Sequence, residues 1–143
     1  MSDRFSRVAL DESSGPVSPR FQYSLHVEIS AGNGGGATLA FDHKTPKGRT
    51  GGTFPITAER YGALCDELSS RVGESVDLVG DMRHRKGISF NVLEVVLGAA
   101  TTRVDYLLTH LEDGAHANLV AAVDAIKKLV SEVEASSAPS TAP

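Results

Sequence analysis

The sequence predicts an α+β domain: an antiparallel or mixed sheet of four to six strands with two helices packed on one face. Three patterns lead there. Phe21 to Ile29 alternate apolar and polar residues without a break, as in a strand with one buried and one wet face. Tyr61, Leu64, Cys65, Leu68 and Val72 recur at helical spacing, and so do Leu119, Ala122, Val123, Ile126, Val130 and Val133. The element order is then β-β-(β)-α-β-β-(β)-α, which gathers the strands into one sheet and leaves two helices to cover it.

Taken in order, residues 1–20 mix charge, Ser, Gly and Pro and predict a flexible N-terminal arm. The first strand follows and ends at Ile29. Ser30 to Gly36 hold an Asn33-Gly34 step that suits a tight reversal. Ala37 to Asp42 complete a hairpin with Ala37, Leu39 and Phe41 facing inward. Residues 43–52 read as a polar, basic loop. Thr53 to Ile56 read as a short edge strand, because Pro55 has no N–H for a central ladder.

Thr57 then caps a helix, Glu59 complements its dipole and Gly73 ends it. Val76 to Val79 predict a strand, and Gly80 to Gly87 a basic reversal. Alternation resumes at Ile88 and passes into an apolar run that stops at Leu97, where Gly98-Ala99-Ala100 break it. A run so apolar on both faces suits a central strand or a subunit interface. Thr102 to Leu108 fit a strand better than a helix, by their Thr, Val and Tyr content. The last helix begins near Asp113 or Asn118, and residues 136–143 form a low-complexity tail. One domain over 21–135 is expected.

Bulk composition agrees with one core: 143 residues, 41% of them apolar, fit a single ordinary domain. A net charge of −4 does not point to a nucleic-acid binder, whose domains usually carry positive excess. No run of 18 apolar residues predicts a membrane span, and the first residues lack the apolar core of a signal peptide. The single Cys65 excludes an intrachain disulfide or a cysteine-based zinc cluster. The expected address is cytoplasmic.

Two basic stretches are the candidate sites. Lys44, Lys47 and Arg49 lie beside Thr45, Thr50 and several glycines and could hold a phosphate or carboxylate. The order of residues is not that of a phosphate loop, and a solvated hairpin loop has the same composition. Arg83, His84, Arg85 and Lys86 put four cationic or titratable groups in a row, which repel one another unless solvated or met by a partner.

Other chemistry finds less support. Base stacking needs exposed aromatics, whereas Phe21 and Tyr23 share a face with Leu25, Val27 and Ile29, and Phe90 with Ile88 and Val92, as core residues do. A hydrolytic set of Cys65 with His84 or His110 and Asp105 can be assembled on paper, but Cys65 lies on an apolar helix stripe. His26, His43, His84, His110 and His116 form no metal-binding spacing, and no cofactor motif is present.

The expected function is a non-catalytic protein-interaction module, of adaptor, inhibitor, immunity or assembly type. It would use both basic loops against an acidic protein surface and form a homo-oligomer. An RNA- or nucleotide-phosphate-binding module using the same loops, and a small enzyme with an unseen pocket, are the alternatives.

Overall fold

A computed structural model describes residues 4–14, 22–80, 91–112 and 114–137. Seven strands form one sheet: β1 (Arg7–Ser13), β2 (Ser24–Ala31), β3 (Ala37–Thr45), β4 (Gly48–Ile56), β5 (Val76–Asp77), β6 (Asn91–Leu97) and β7 (Ala100–Tyr106). Their spatial order is β4-β3-β2-β1-β6-β7-β5. Every neighbouring pair is antiparallel except β5–β7, so the sheet is mixed. Two helices, α1 (Ala58–Arg71) and α2 (Ala117–Ser137), complete an α+β fold. The strand count exceeds the expected four to six.

The additional strand is β1, from within the supposed flexible arm. It lies at the middle of the sheet, between β2 and β6. Val8 and Leu10 are fully buried. Arg7, Asp11 and Glu12 give this stretch the polar composition of an arm, yet Val8, Leu10 and Glu12 share one face at the period of a strand.

The expected loop over 43–52 is also corrected. β3 continues to Thr45 and β4 starts at Gly48, leaving Pro46 and Lys47 as the turn. Gly51 allows the two strands to approach here, because a Cβ on it would lie 2.5 Å from the Phe41 carbonyl oxygen. β4 is therefore a nine-residue edge strand rather than the short one expected over 53–56. On the opposite edge, β5 is only two residues long.

Residues 100–106 are strand, as the composition of that segment favoured. β6 and β7 join through Gly98-Ala99, with Gly98 at φ 61° as tight hairpins require. β6 is central, next to β1. Its apolar character on both faces divides into Leu93 and Val95, buried, and Val92 and Val96, partly exposed on the other side.

The core lies on one face of the sheet. Val8, Leu10, Val27, Ile29, Leu39, Leu93 and Val95 join the buried stripes of both helices in a single cluster. Thr57 caps α1 as expected, its hydroxyl accepting from the Arg60 N–H at 3.2 Å. Arg60 reaches Glu132 at 3.4 Å and Arg71 reaches Asn118 at 3.1 Å, so the helices run antiparallel. The Tyr61 hydroxyl donates to the Phe5 carbonyl and ties the chain before β1 to α1.

The opposite face carries a charged ladder. Arg7 bridges Glu28 at 2.7 Å and Glu94 at 2.5 Å, joining three strands. His26 contacts Asp11 on the neighbouring strand. Strands with one face in the core and one in water need this alternation.

A buried carboxylate and a basic hairpin at one end of the sheet

β1 ends, β2 begins and β3 turns into β4 at the same end of the sheet, where Ser13, Ser24 and Lys44 lie side by side. Alternation along β1 sends Glu12 inward after Val8 and Leu10. Its side chain is 0% exposed. A carboxylate there would be strongly disfavoured without partners. It has three: the Tyr106 hydroxyl donates at 3.1 Å, the Tyr23 hydroxyl at 3.3 Å, and Lys127 of α2 closes an ion pair.

Asn91 supports the arrangement from β6. Its side-chain oxygen accepts from the Ser13 N–H at 2.7 Å, and its amide donates to the Tyr106 carbonyl at 3.3 Å. Burial, followed by the Glu12 charge, pushes both Tyr23 and Tyr106 far up from the ordinary phenol range. At neutral pH they are therefore hydrogen-bond donors to Glu12 and not bases.

Glu12, Tyr23 and Lys127 of this cluster line a cleft of about 510 Å³ between the sheet and α2. Tyr23, Leu25 and His43 line it from the strands, and Lys127, Val130, Ser131 and Glu134 from the helix. Sequence reasoning missed Glu12 and Lys127. The signals were present: Glu12 continues the inward period of Val8 and Leu10, and Lys127 falls between Val123 and Val130 at helical spacing.

The basic hairpin occupies the same end. Lys44 and Lys47 are exposed, and neither makes an ion pair among the described residues. Arg49 behaves differently. Its guanidinium grips Asp42 through two bonds of 2.7 Å. That pairing holds the Asp42 carboxyl below its usual range. Arg49 is thus turned back onto its own hairpin. Beside Lys44 a second cleft, of about 390 Å³, is lined by Ser13, Ser14, Ser24, Thr45, Gln22 and Tyr23, among others. Arg83, His84, Arg85 and Lys86 lie outside the described residues.

The hydrolytic set does not assemble. Cys65 is buried under the helix layer, its thiol pushed up by burial. Asp105 points to the opposite face of the sheet, where Arg103 binds it at 2.7 Å. His110 accepts from the Leu107 N–H at 2.9 Å and packs edge-on against His116. No group of three or more His, Cys, Asp or Glu among the described residues is placed to hold a metal ion. No helix among them is long and apolar enough to cross a membrane.

Searches with protein-family models, among curated proteins and among solved structures give no match to this chain.

Proposed function

We propose that the protein is a non-catalytic binding domain that engages an acidic segment of a partner protein at the β3–β4 end of its sheet. One observation carries this reading: Lys44 and Lys47 stand exposed on a paired hairpin beside a cleft lined by hydroxyl groups. Ammonium and hydroxyl donors together suit a carboxylate. Lys44 is held on β3 and Lys47 in the two-residue turn that follows it, so little backbone ordering is needed when the partner arrives. Arg83, His84, Arg85 and Lys86 belong to the same proposal as further cationic contacts. Arg49 serves it indirectly, by fixing the hairpin through Asp42. The chain's own net charge of −4 makes a second copy one candidate acidic partner.

The test is capture of partners from the native source by the wild type and by Lys44→Glu/Lys47→Glu, with nuclease treatment in parallel. Both substitutions are at exposed positions, so thermal unfolding should be nearly unchanged. A nuclease-resistant protein that is lost with the double variant supports the reading. A nuclease-sensitive partner, with a log–log salt slope of several units, replaces it with the nucleic-acid alternative.

A further inference from the structure

We propose that the outer edge of β4, beside the hairpin turn, takes an extended segment of a partner protein as an added strand, with acidic side chains on the open face and apolar ones on the covered face. The proposal rests on the acidic-partner reading above and states how that partner is held. Among the described strands β4 has one neighbour, β3, so its other side is unpaired. Residues 48–53 of β4 are all exposed. Main-chain bonds along such an edge give affinity, and the side chains on either face give specificity.

The register decides which backbone groups face outward. Pro46 and Lys47 form a two-residue turn, so Thr45 and Gly48, which flank it, are a mutually hydrogen-bonded pair. Bonded and non-bonded pairs then alternate along the antiparallel ladder. Lys44–Arg49, Asp42–Gly51 and Ala40–Thr53 are non-bonded pairs, so the N–H and C=O groups of Arg49, Gly51 and Thr53 point away from β3. Pro55 is next in that series and has no N–H to offer, so the open edge ends at Thr53. Gly51 and Gly52 carry no side chain to hold another backbone off, and both line a depression of about 240 Å³ with Phe41, Asp42, Arg49 and Thr50.

The two faces of this edge differ in chemistry. Asp42 on the open face is held by Arg49, so the charge without an ion-pair partner among the described residues is that of Lys44 and of Lys47 in the turn. His43 is the one other titratable side chain in residues 37–56, and its protonation adds to the same sign. On the covered face, half-buried Phe54 stacks on Phe41 with ring centres 5.7 Å apart. The Phe54 ring also lies against Gly52, where a Cβ would come within 3.1 Å of it. A strand that alternates Glu with an apolar residue thus meets ammonium groups on one face and an aromatic ring on the other. A strand without acids faces the two lysines uncompensated and finds no side chain at Gly51 or Gly52 to pack on, so the edge selects its partner.

The experiment adds acetyl-Thr-Val-Glu-Val-Glu-Val-Thr-amide to the full chain at low ionic strength and follows backbone amide exchange by NMR. Binding should slow exchange at Arg49, Gly51 and Thr53 by about tenfold, while Thr50, Gly52 and Phe54, already bonded to β3, change little. Alternate amides of an added strand face β4. Of two N-methylated forms of the peptide, at the Glu or at the Val residues, one should therefore lose binding and the other keep it. Antiparallel pairing with Glu beside Arg49 makes the Glu form the one that fails. Thr53→Pro removes an outward N–H but no bond to β3, and should weaken the peptide about tenfold with thermal unfolding nearly unchanged. Lys44→Glu/Lys47→Glu should also weaken it, and replacing both peptide Glu residues by Lys should abolish binding. If both methylated forms bind as the parent peptide does, strand addition is overturned, and a loss with the lysine variant then leaves the acidic-partner reading standing. If the lysine variant binds the peptide as the wild type does, the acidic specification is overturned with that reading. Absence of saturable binding by the parent peptide overturns strand addition as well.

Discussion

Glu12 illustrates how one side chain can be both a liability and a specification. Its carboxylate sits in the covered face of the sheet, and its partners come from β2, β7 and α2, so their alignment fixes how α2 lies on the strands. Removing the carboxylate leaves the buried Tyr106 hydroxyl and the part-buried Tyr23 hydroxyl without it, while Lys127, 35% exposed, can turn to water. Glu12→Ala should lower stability by about 1–3 kcal/mol, the cost of a buried hydroxyl left without its acceptor, and urea unfolding will read it. On the open face the balance differs. The Arg7 guanidinium holds the Glu28 carboxyl below the usual carboxylate range, mainly through their hydrogen bond. A carboxyl depressed in the folded state stabilises at pH values above its unfolded value of about 4, and the effect is lost as pH falls through the lower folded value. Stability should therefore fall below about pH 4. Arg7→Gln should flatten that acid limb while lowering stability only slightly at neutral pH, because the pair is solvent-exposed. An unchanged acid limb would show that this pair contributes nothing to it.

At the level of elements, β1 is the decisive case. It joins the two halves of the sheet, pairing β2 on one side and β6 on the other. Leu10→Ala should cost about 2–5 kcal/mol, the range for a large-to-small change in a packed core. A loss under about 0.5 kcal/mol, as at a surface site, would return residues 7–13 to the role of an arm. The helices were legible in advance because each repeats its apolar period over about three turns or more, and α1 carries its own cap in Thr57. β1 was not, because two inward apolar side chains, Val8 and Leu10, among Arg7, Asp11 and Glu12 give a period too short to recognise, and one of its partners, β6, lies far along the chain. The extension of β3 and β4 into residues 43–52 was missed for a related reason. Those strands hold Asp42, His43, Lys44, Arg49 and Thr50, whose place in a sheet depends on cross-strand pairing and not on apolar content. The candidate site followed the same division: Lys44 and Lys47 are visible as charge, whereas the cleft around Glu12 exists only once β1 is placed.

For the molecule as a whole, a seven-stranded open sheet raises the question of what happens at its edges. An uncovered edge offers unpaired N–H and C=O groups to any other strand. On the β5 side the edge strand spans just Val76 and Asp77, too short to template much pairing. β4 on the other side is nine residues long and largely exposed, so it needs other protection. Pro55 withholds a donor from the edge, and the Gly51-Gly52 step departs from regular strand geometry, with Gly52 at φ 155°. Pro55→Val supplies the missing N–H and a strand-favouring side chain together. The variant should keep the fold, because Pro55 is exposed and outside the core cluster. It should also associate more strongly than the wild type, seen as faster-sedimenting species that grow with concentration in sedimentation velocity. Identical profiles for the two proteins would mean that Pro55 does not guard this edge. Protection would then rest on the glycine pair and on Arg49, whose charge any incoming strand must accommodate.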